Sequence, residues 1–331
     1  MSETTAAEAK PESKHSSVAD QVFYWWDRVG ILLILVLLVL MMAIFAKNFV
    51  SWENFFNVLR SISINAILAA GMTLVILTAG IDLSVGSTLA LSGCVGVLLH
   101  LAGMPLPVAV GGGIVIGALV GALSGGFIAL LAMPPFIVTL GAMTYVRGFA
   151  YTSTGGLPVI ASDLSYECFG NCYVSVVPTP VILMLIVYLL IWFLLERTKF
   201  GRHVYAVGGN PEAARLAGIS VRRVLIWVYT IAGATAGLAG IIFSARVMSA
   251  QPNGGQSYEM DAITAVVLGG TALAGGRGRI TGTLIGAIII GVLSNGLVLM
   301  NVPTFTQMIV KGFVIILAVA IDSIRGLVNS R

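Results

Sequence analysis

Val29-Gly30-Ile31-Leu32-Leu33-Ile34-Leu35-Val36-Leu37-Leu38-Val39-Leu40-Met41-Met42-Ala43-Ile44-Phe45-Ala46 runs for 18 residues without a charge. As an α-helix it is about 27 Å long, at a rise of roughly 1.5 Å per residue, close to one hydrocarbon thickness of a bilayer. Comparable runs recur along the rest of the chain, and the few charges fall between them. Hydrophobic residues make up 58% of the 331 and charged residues 10%, more apolar surface than a water-soluble core of this length uses. Backbone amides in lipid must be paired within their own segment, so the runs predict helices and not strands. The expected fold is all-α, a polytopic membrane bundle in contact with lipid.

Apolar runs and their Pro/Gly breakers give ten expected spans, at 29–46, 61–79, 86–103, 107–131, 136–153, 178–195, 224–245, 261–275, 281–300 and 305–322. With the amino terminus inside, the inner segments hold Lys10, Lys14, Arg28, Arg197, Lys199, Arg202, Arg215, Arg222, Arg223, Arg277, Arg279, Arg325 and Arg331. The outer segments hold Lys47, Arg60 and Arg246, and thirteen against three fits an even number of spans with both termini cytoplasmic. The net charge of +4 is explained by these inner loops and is no sign of a nucleic-acid partner. The organisation expected is a polar cytoplasmic tail over 1–28, a membrane domain over 29–325 and a short tail over 326–331. The first tail reads as disordered up to Val22-Phe23-Tyr24-Trp25-Trp26, an aromatic cluster suited to a membrane interface, and the apolar stretch after it as an uncleaved first helix. Glycines along the fourth span, from Gly111-Gly112-Gly113 through Gly117 and Gly121 to Gly125-Gly126, predict close helix packing. Spans two and three are echoed faintly by eight and nine: Asn65-Ala66-Ile67 by Asp261-Ala262-Ile263, Gly80 by Gly276, Gly86 by Gly282. Shared bilayer constraints or a duplicated bundle would each produce that echo.

The inner connector, 196–223, contains Asn210-Pro211-Glu212-Ala213-Ala214-Arg215-Leu216-Ala217-Gly218. Asn is a good N-cap, Pro suits the first helical position, Glu favours the positive end of the helix dipole, and Gly fits just past the end. A two-turn helix outside the bilayer follows. It is either a docking element or a solvated loop whose arginines set topology.

Glu212-Ala213-Ala214, with Gly218 after three more residues, resembles the Glu-Ala-Ala-x3-Gly signature of ABC importer permeases, although the later Ile-x-Leu-Pro part is absent. Further motifs are Leu77-Thr78-Ala79-Gly80-Ile81-Asp82-Leu83-Ser84-Val85-Gly86-Ser87 and Pro134-Pro135-Phe136-Ile137-Val138-Thr139-Leu140-Gly141. With Tyr205-Ala206-Val207-Gly208-Gly209-Asn210, Val267-Leu268-Gly269-Gly270-Thr271 and Gly275-Gly276-Arg277-Gly278-Arg279, they resemble monosaccharide permeases of the ribose, xylose and arabinose type over roughly 50–326. The resemblance implies a ten-helix subunit of the bacterial inner membrane, used as a dimer of like or paralogous copies. It also implies that Asn210, Pro211, Glu212, Ala213, Ala214, Arg215 and Gly218 couple to a cytoplasmic ATPase, which holds ATP and Mg while this chain binds no cofactor. The remaining implied partner is a periplasmic sugar-binding protein.

Candidate pathway residues are Asn65, Asp82, Ser84, Ser87, Arg147 and Asn295. Asp82 and Ser84 read either as a gate at a helix break or as a cap for the third span. Arg147 and Lys311 are the basic residues placed inside spans, each to snorkel or to pair with an acid; Asn65 and Asn295 bond a passing solute or bond across helices. Cys168-Phe169-Gly170-Asn171-Cys172 lies in the longest outer loop, where the two thiols either close a small disulfide or stay free. That loop and 246–260 are candidates to receive the binding protein. No phosphate-binding loop, His-Glu-x-x-His or Gly-x-Ser-x-Gly occurs, which argues against an ATPase or an intramembrane hydrolase. An ion-driven transporter would want acids along the pathway, for which Asp82 is the one candidate. A path lined by Ser, Thr, Asn and backbone suits a neutral, hydroxyl-rich solute, with nucleosides or branched-chain amino acids as the other cargoes.

Overall fold

The computed structural model describes the backbone of residues 18–329 and the side chains of 30–320. The helices are α1 (Val18–Phe45), α2 (Trp52–Leu77), α3 (Val85–Leu101), α4 (Leu106–Leu130), α5 (Pro135–Thr154) and the single turn α6 (Cys168–Asn171). There follow α7 (Thr179–Arg197), α8 (Lys199–Gly209), α9 (Pro211–Leu216), α10 (Val221–Val247), α11 (Tyr258–Leu268), α12 (Ile280–Leu299) and α13 (Thr304–Asn329). The only strands among the described residues are two-residue pieces: β1 (Val159–Ile160), β2 (Tyr173–Val174), β3 (Val177–Pro178) and β4 (Ser249–Ala250). Proline opens α4, α5, α7 and α9 within their first two positions, where its missing N–H costs nothing. Helices α2, α4, α7, α10 and α12 are long and apolar enough to cross a membrane, and shorter apolar stretches lie at Gly30–Phe45, Val85–Leu101 and Thr304–Ala320.

The core is built on α10, which packs along α4, α3 and α2. Glycines set the closest of these approaches. A methyl group on Gly117 or Gly121 would strike the carbonyl oxygen of Gly233 or Tyr229 on α10, whereas one on Gly126 would meet open space. Absent side chains therefore let two backbones touch, and the next helix turn repeats the contact.

Four expectations need correction. The first helix starts at Val18, ahead of the expected boundary at 28; the rest of the tail, the side chains of Val22 to Trp26 and the last two residues lie outside the described residues. The second helix starts at Trp52 and not at 61, with the Ser51 hydroxyl accepting from the Asn54 N–H, so Arg60 joins Arg147 and Lys311 inside a long helix. The connector 196–223 holds α8 as well as the short helix expected there. The eighth span, 261–275, is not one continuous helix. Helix α11 has 11 residues, so it reaches about 16 Å, half a hydrocarbon layer. The chain before it, 251–257, is irregular and enters the bundle, where a methyl on Gly86 of α3 would strike the Gly255 carbonyl oxygen. Irregular backbone at membrane depth is stable when protein surrounds it, as here.

The two echoing segments meet. The Asn65 Nδ2 donates to Asp261 Oδ2 at 3.3 Å across a separation of 196 residues. At the same separation, Gly275 packs on the backbone of Ala79, and both take positive φ (83° and 59°). Residues at corresponding positions of the echo therefore touch one another across 196 residues of chain, as a duplicated bundle would allow.

Candidate functional site

Helix α9 is built as its sequence dictates. The Asn210 side chain accepts from the Ala213 N–H at 3.0 Å, Pro211 takes the first position, and Gly218 follows the end at φ 82°. Glu212 and Arg215 pair across one turn at 3.0 Å with both side chains in solvent, a contact worth well under about 1 kcal/mol. Leu216 is 85% exposed, so the helix offers an apolar tip between charges. Only Ala214 of α9 is buried.

Helix α8 connects this tip to the bundle. Its Gly208 lies on the Leu77 carbonyl oxygen at the end of α2, close enough that a methyl would clash, and the Gly276 N–H donates to that same oxygen at 2.9 Å. The Tyr205 hydroxyl donates to the Gly278 carbonyl at 3.1 Å, and burial raises its pKa, with the Glu196 charge adding and Arg279 opposing. Helix α8 thus seats against both the end of α2 and the turn at 269–279. A hollow beside the exit of α9 is lined by Phe200, His203, Ile219, Arg223, Val224 and Trp227.

The structure does not gather the six expected pathway residues into one lining. Asp82 is 1% exposed, and its Oδ1 accepts from the Ser84 N–H (2.8 Å) and the Ser84 hydroxyl (2.6 Å). This closes the turn ahead of α3, so neither residue caps a first-turn amide, because Asp82 is occupied by Ser84. Ser87 is buried too. Asn295 makes a reciprocal amide pair with Asn54 (3.0 and 3.1 Å), binding α12 to α2. Arg147 donates through Nη1 to the carbonyls of Pro252 (2.8 Å) and Gly254 (2.6 Å), anchoring the irregular segment to α5. Asn65 meets Asp261, which sequence reasoning passed over. Asp261 is buried, and Lys311 Nζ on α13 donates to its Oδ2 at 2.7 Å. An isolated acid and an isolated base in two separate apolar runs were the available signal.

The loops at 151–177 and 246–260 are joined. Strand β1 pairs antiparallel with β4, Val159 opposite Ala250 and Ile160 opposite Ser249. Cys168 and Cys172 are disulfide-bonded around α6, and the Asn171 amide donates to the Ala245 carbonyl at 2.9 Å. Tyr166 fills the space beneath, fully buried, its hydroxyl pushed up to about 12 by desolvation.

The family of the branched-chain amino acid transport system permease component matches residues 54–319. The chain belongs to this family. Among its relatives, the permease is 49% identical over 304 residues to the ribose import permease protein of Escherichia coli K12, covering 90% of this chain and 94% of the relative. It is 46% identical to the ribose import permease protein of Bacillus subtilis 168 (89% and 92% covered) and 39% to the D-allose transport system permease protein of E. coli K12 (90% and 92%). No solved structure matches the permease. Its apolar helices make it a multi-pass membrane protein, and as the permease component of a transport system it is not an enzyme.

Proposed function

We propose that the permease is the membrane subunit of an ATP-driven importer of a monosaccharide or related polyol. It crosses the bacterial inner membrane ten times with both termini cytoplasmic, and α8 and α9 lie inside. Two copies, identical or paralogous, enclose the path, and a periplasmic sugar-binding protein delivers the solute to the joined loops 151–177 and 246–260. The permease itself holds no cofactor; ATP and Mg sit on the separate ATPase. The observation that carries this reading is α9, a capped, exposed helix packed through α8 onto the end of α2 and the turn at 269–279. Asn210, Pro211 and Gly218 fix its shape, Ala213 and Ala214 keep its flanks slim, and Glu212 and Arg215 face the ATPase. Relatives named for ribose and allose favour a sugar as cargo. The family description favours branched-chain amino acids as the second reading.

The test is Glu212→Ala combined with Arg215→Glu in the full transporter. Membrane insertion should be unchanged, while binding-protein-stimulated ATP hydrolysis and sugar uptake are lost. Uptake at the wild-type rate would overturn the docking role. Uptake of leucine with no monosaccharide uptake would move the cargo to the second reading.

A further inference from the structure

The hollow beside the exit of α9 lies where α10 enters the membrane. Helix α10 is long and apolar enough to cross a bilayer, and Arg223, Val224 and Trp227 of its first two turns line the hollow. Trp227 sits one turn beyond Arg223 on the same helix face, roughly 9 Å from the start of α10, and is 58% exposed. An exposed tryptophan at that depth belongs to the boundary between headgroups and hydrocarbon. Along α10 the lining therefore passes from a cation at the water end to an indole at the lipid end. Phe200 and His203 of α8 line the same hollow and repeat the combination of an aromatic ring with a nitrogen donor. Its volume of about 270 Å³ falls just under the range that encloses a drug-sized ligand, roughly 300–1,000 Å³, so it takes a headgroup and not a whole lipid.

We propose that this hollow binds the headgroup of an acidic phospholipid, its phosphate against Arg223 and His203 and the start of its acyl region against Trp227 and Phe200. Neither Arg223 nor His203 has an ion-pair or hydrogen-bond partner for its side chain among the described residues, whereas Arg215 pairs with Glu212 and Arg202 donates to the Thr198 carbonyl. The guanidinium and the imidazole N–H are both free to donate to phosphate oxygens. The connector 196–223 holds Arg197, Lys199, Arg202, Arg215, Arg222 and Arg223 against Glu196 and Glu212, so the surface around the hollow draws an acidic headgroup towards it. Ser220 lines the hollow as the N-cap of α10 and makes no side-chain cap, so the positive end of the helix dipole adds to the same field. An inorganic anion would leave the aromatic walls unused. A carboxylate on the ATPase would stop at Arg223, short of Trp227. A lipid reaches both from the bilayer side.

The test is native mass spectrometry of the full transporter in detergent with equal amounts of phosphatidylglycerol and phosphatidylcholine of the same acyl chains, a pair that isolates headgroup charge. The wild type should retain phosphatidylglycerol in preference, and Arg223→Gln should cut that preference about fivefold, the share of one basic residue at a lipid surface. Arg202→Gln removes the same charge from an exposed position of α8 outside the hollow, and should leave the preference intact. Arg223→Lys should keep most of it, which separates loss of charge from loss of fold. No preference in the wild type overturns the proposal, and equal losses in Arg202→Gln and Arg223→Gln overturn it in favour of a diffuse positive surface. Displacement of the lipid by millimolar inorganic phosphate would assign the hollow to a free anion instead. Release of the ATPase by Arg223→Gln with lipid retention unchanged would assign it to the subunit interface instead. The readout needs neither sugar nor uptake, so its failure is distinct from failure of the cargo assignment.

Discussion

Asp261 shows how much one buried carboxylate demands. At 7% side-chain exposure its Oδ2 accepts from both the Lys311 ammonium and the Asn65 amide. Removing only the base leaves an uncompensated charge, so Lys311→Ala should cost about 3 kcal/mol. Lys311→Ala with Asp261→Asn should recover most of that loss, as read by thermal unfolding in detergent; equal losses in the single and double variants would contradict the pairing. At this scale the sequence was legible where chemistry is local. Asn210, Pro211 and Gly218 each perform in α9 the job their residue type suggests. Asp82 was less legible, because an acid before a helix can accept from several nearby donors, and the Ser84 hydroxyl and amide took both bonds. The Asn65–Asp261 contact spans 196 residues, and nothing local announces it.

Between elements, the α4–α10 seam is the most demanding surface. Gly117→Leu drives a side chain into the backbone of Gly233 and Gly237, so expression and unfolding temperature should fall sharply, with about 3 kcal/mol or more lost. Gly126→Ala, one residue off the seam, should behave as wild type, and a loss equal to that of Gly117→Leu would place the seam elsewhere. The α8 contact predicts a functional effect: Tyr205→Phe removes a bond of roughly 1 kcal/mol to the Gly278 carbonyl. Sugar uptake should fall while ATP hydrolysis without binding protein persists; a parallel fall in both would assign Tyr205 to stability alone. The seam was readable because its glycines recur every fourth residue. The short α11 was not, since 262–275 carries no charge whether it forms a whole helix or half of one followed by a buried turn.

Across the whole molecule, the echoing segments meet at Asn65 and Asp261 and at Ala79 and Gly275, beside the seat of α8. A push on α9 would pass through α8 to the place where these segments meet. The faint echo of Gly80 and Gly86 in Gly276 and Gly282 did not announce that contact, which joins residues 196 positions apart. Such a machine works only if α9 faces the compartment that holds ATP. The most direct measurement is labelling of Ala217→Cys by a membrane-impermeant thiol reagent in right-side-out and inverted inner-membrane vesicles. Reaction in inverted vesicles alone is the predicted result, and reaction in right-side-out vesicles would contradict the account.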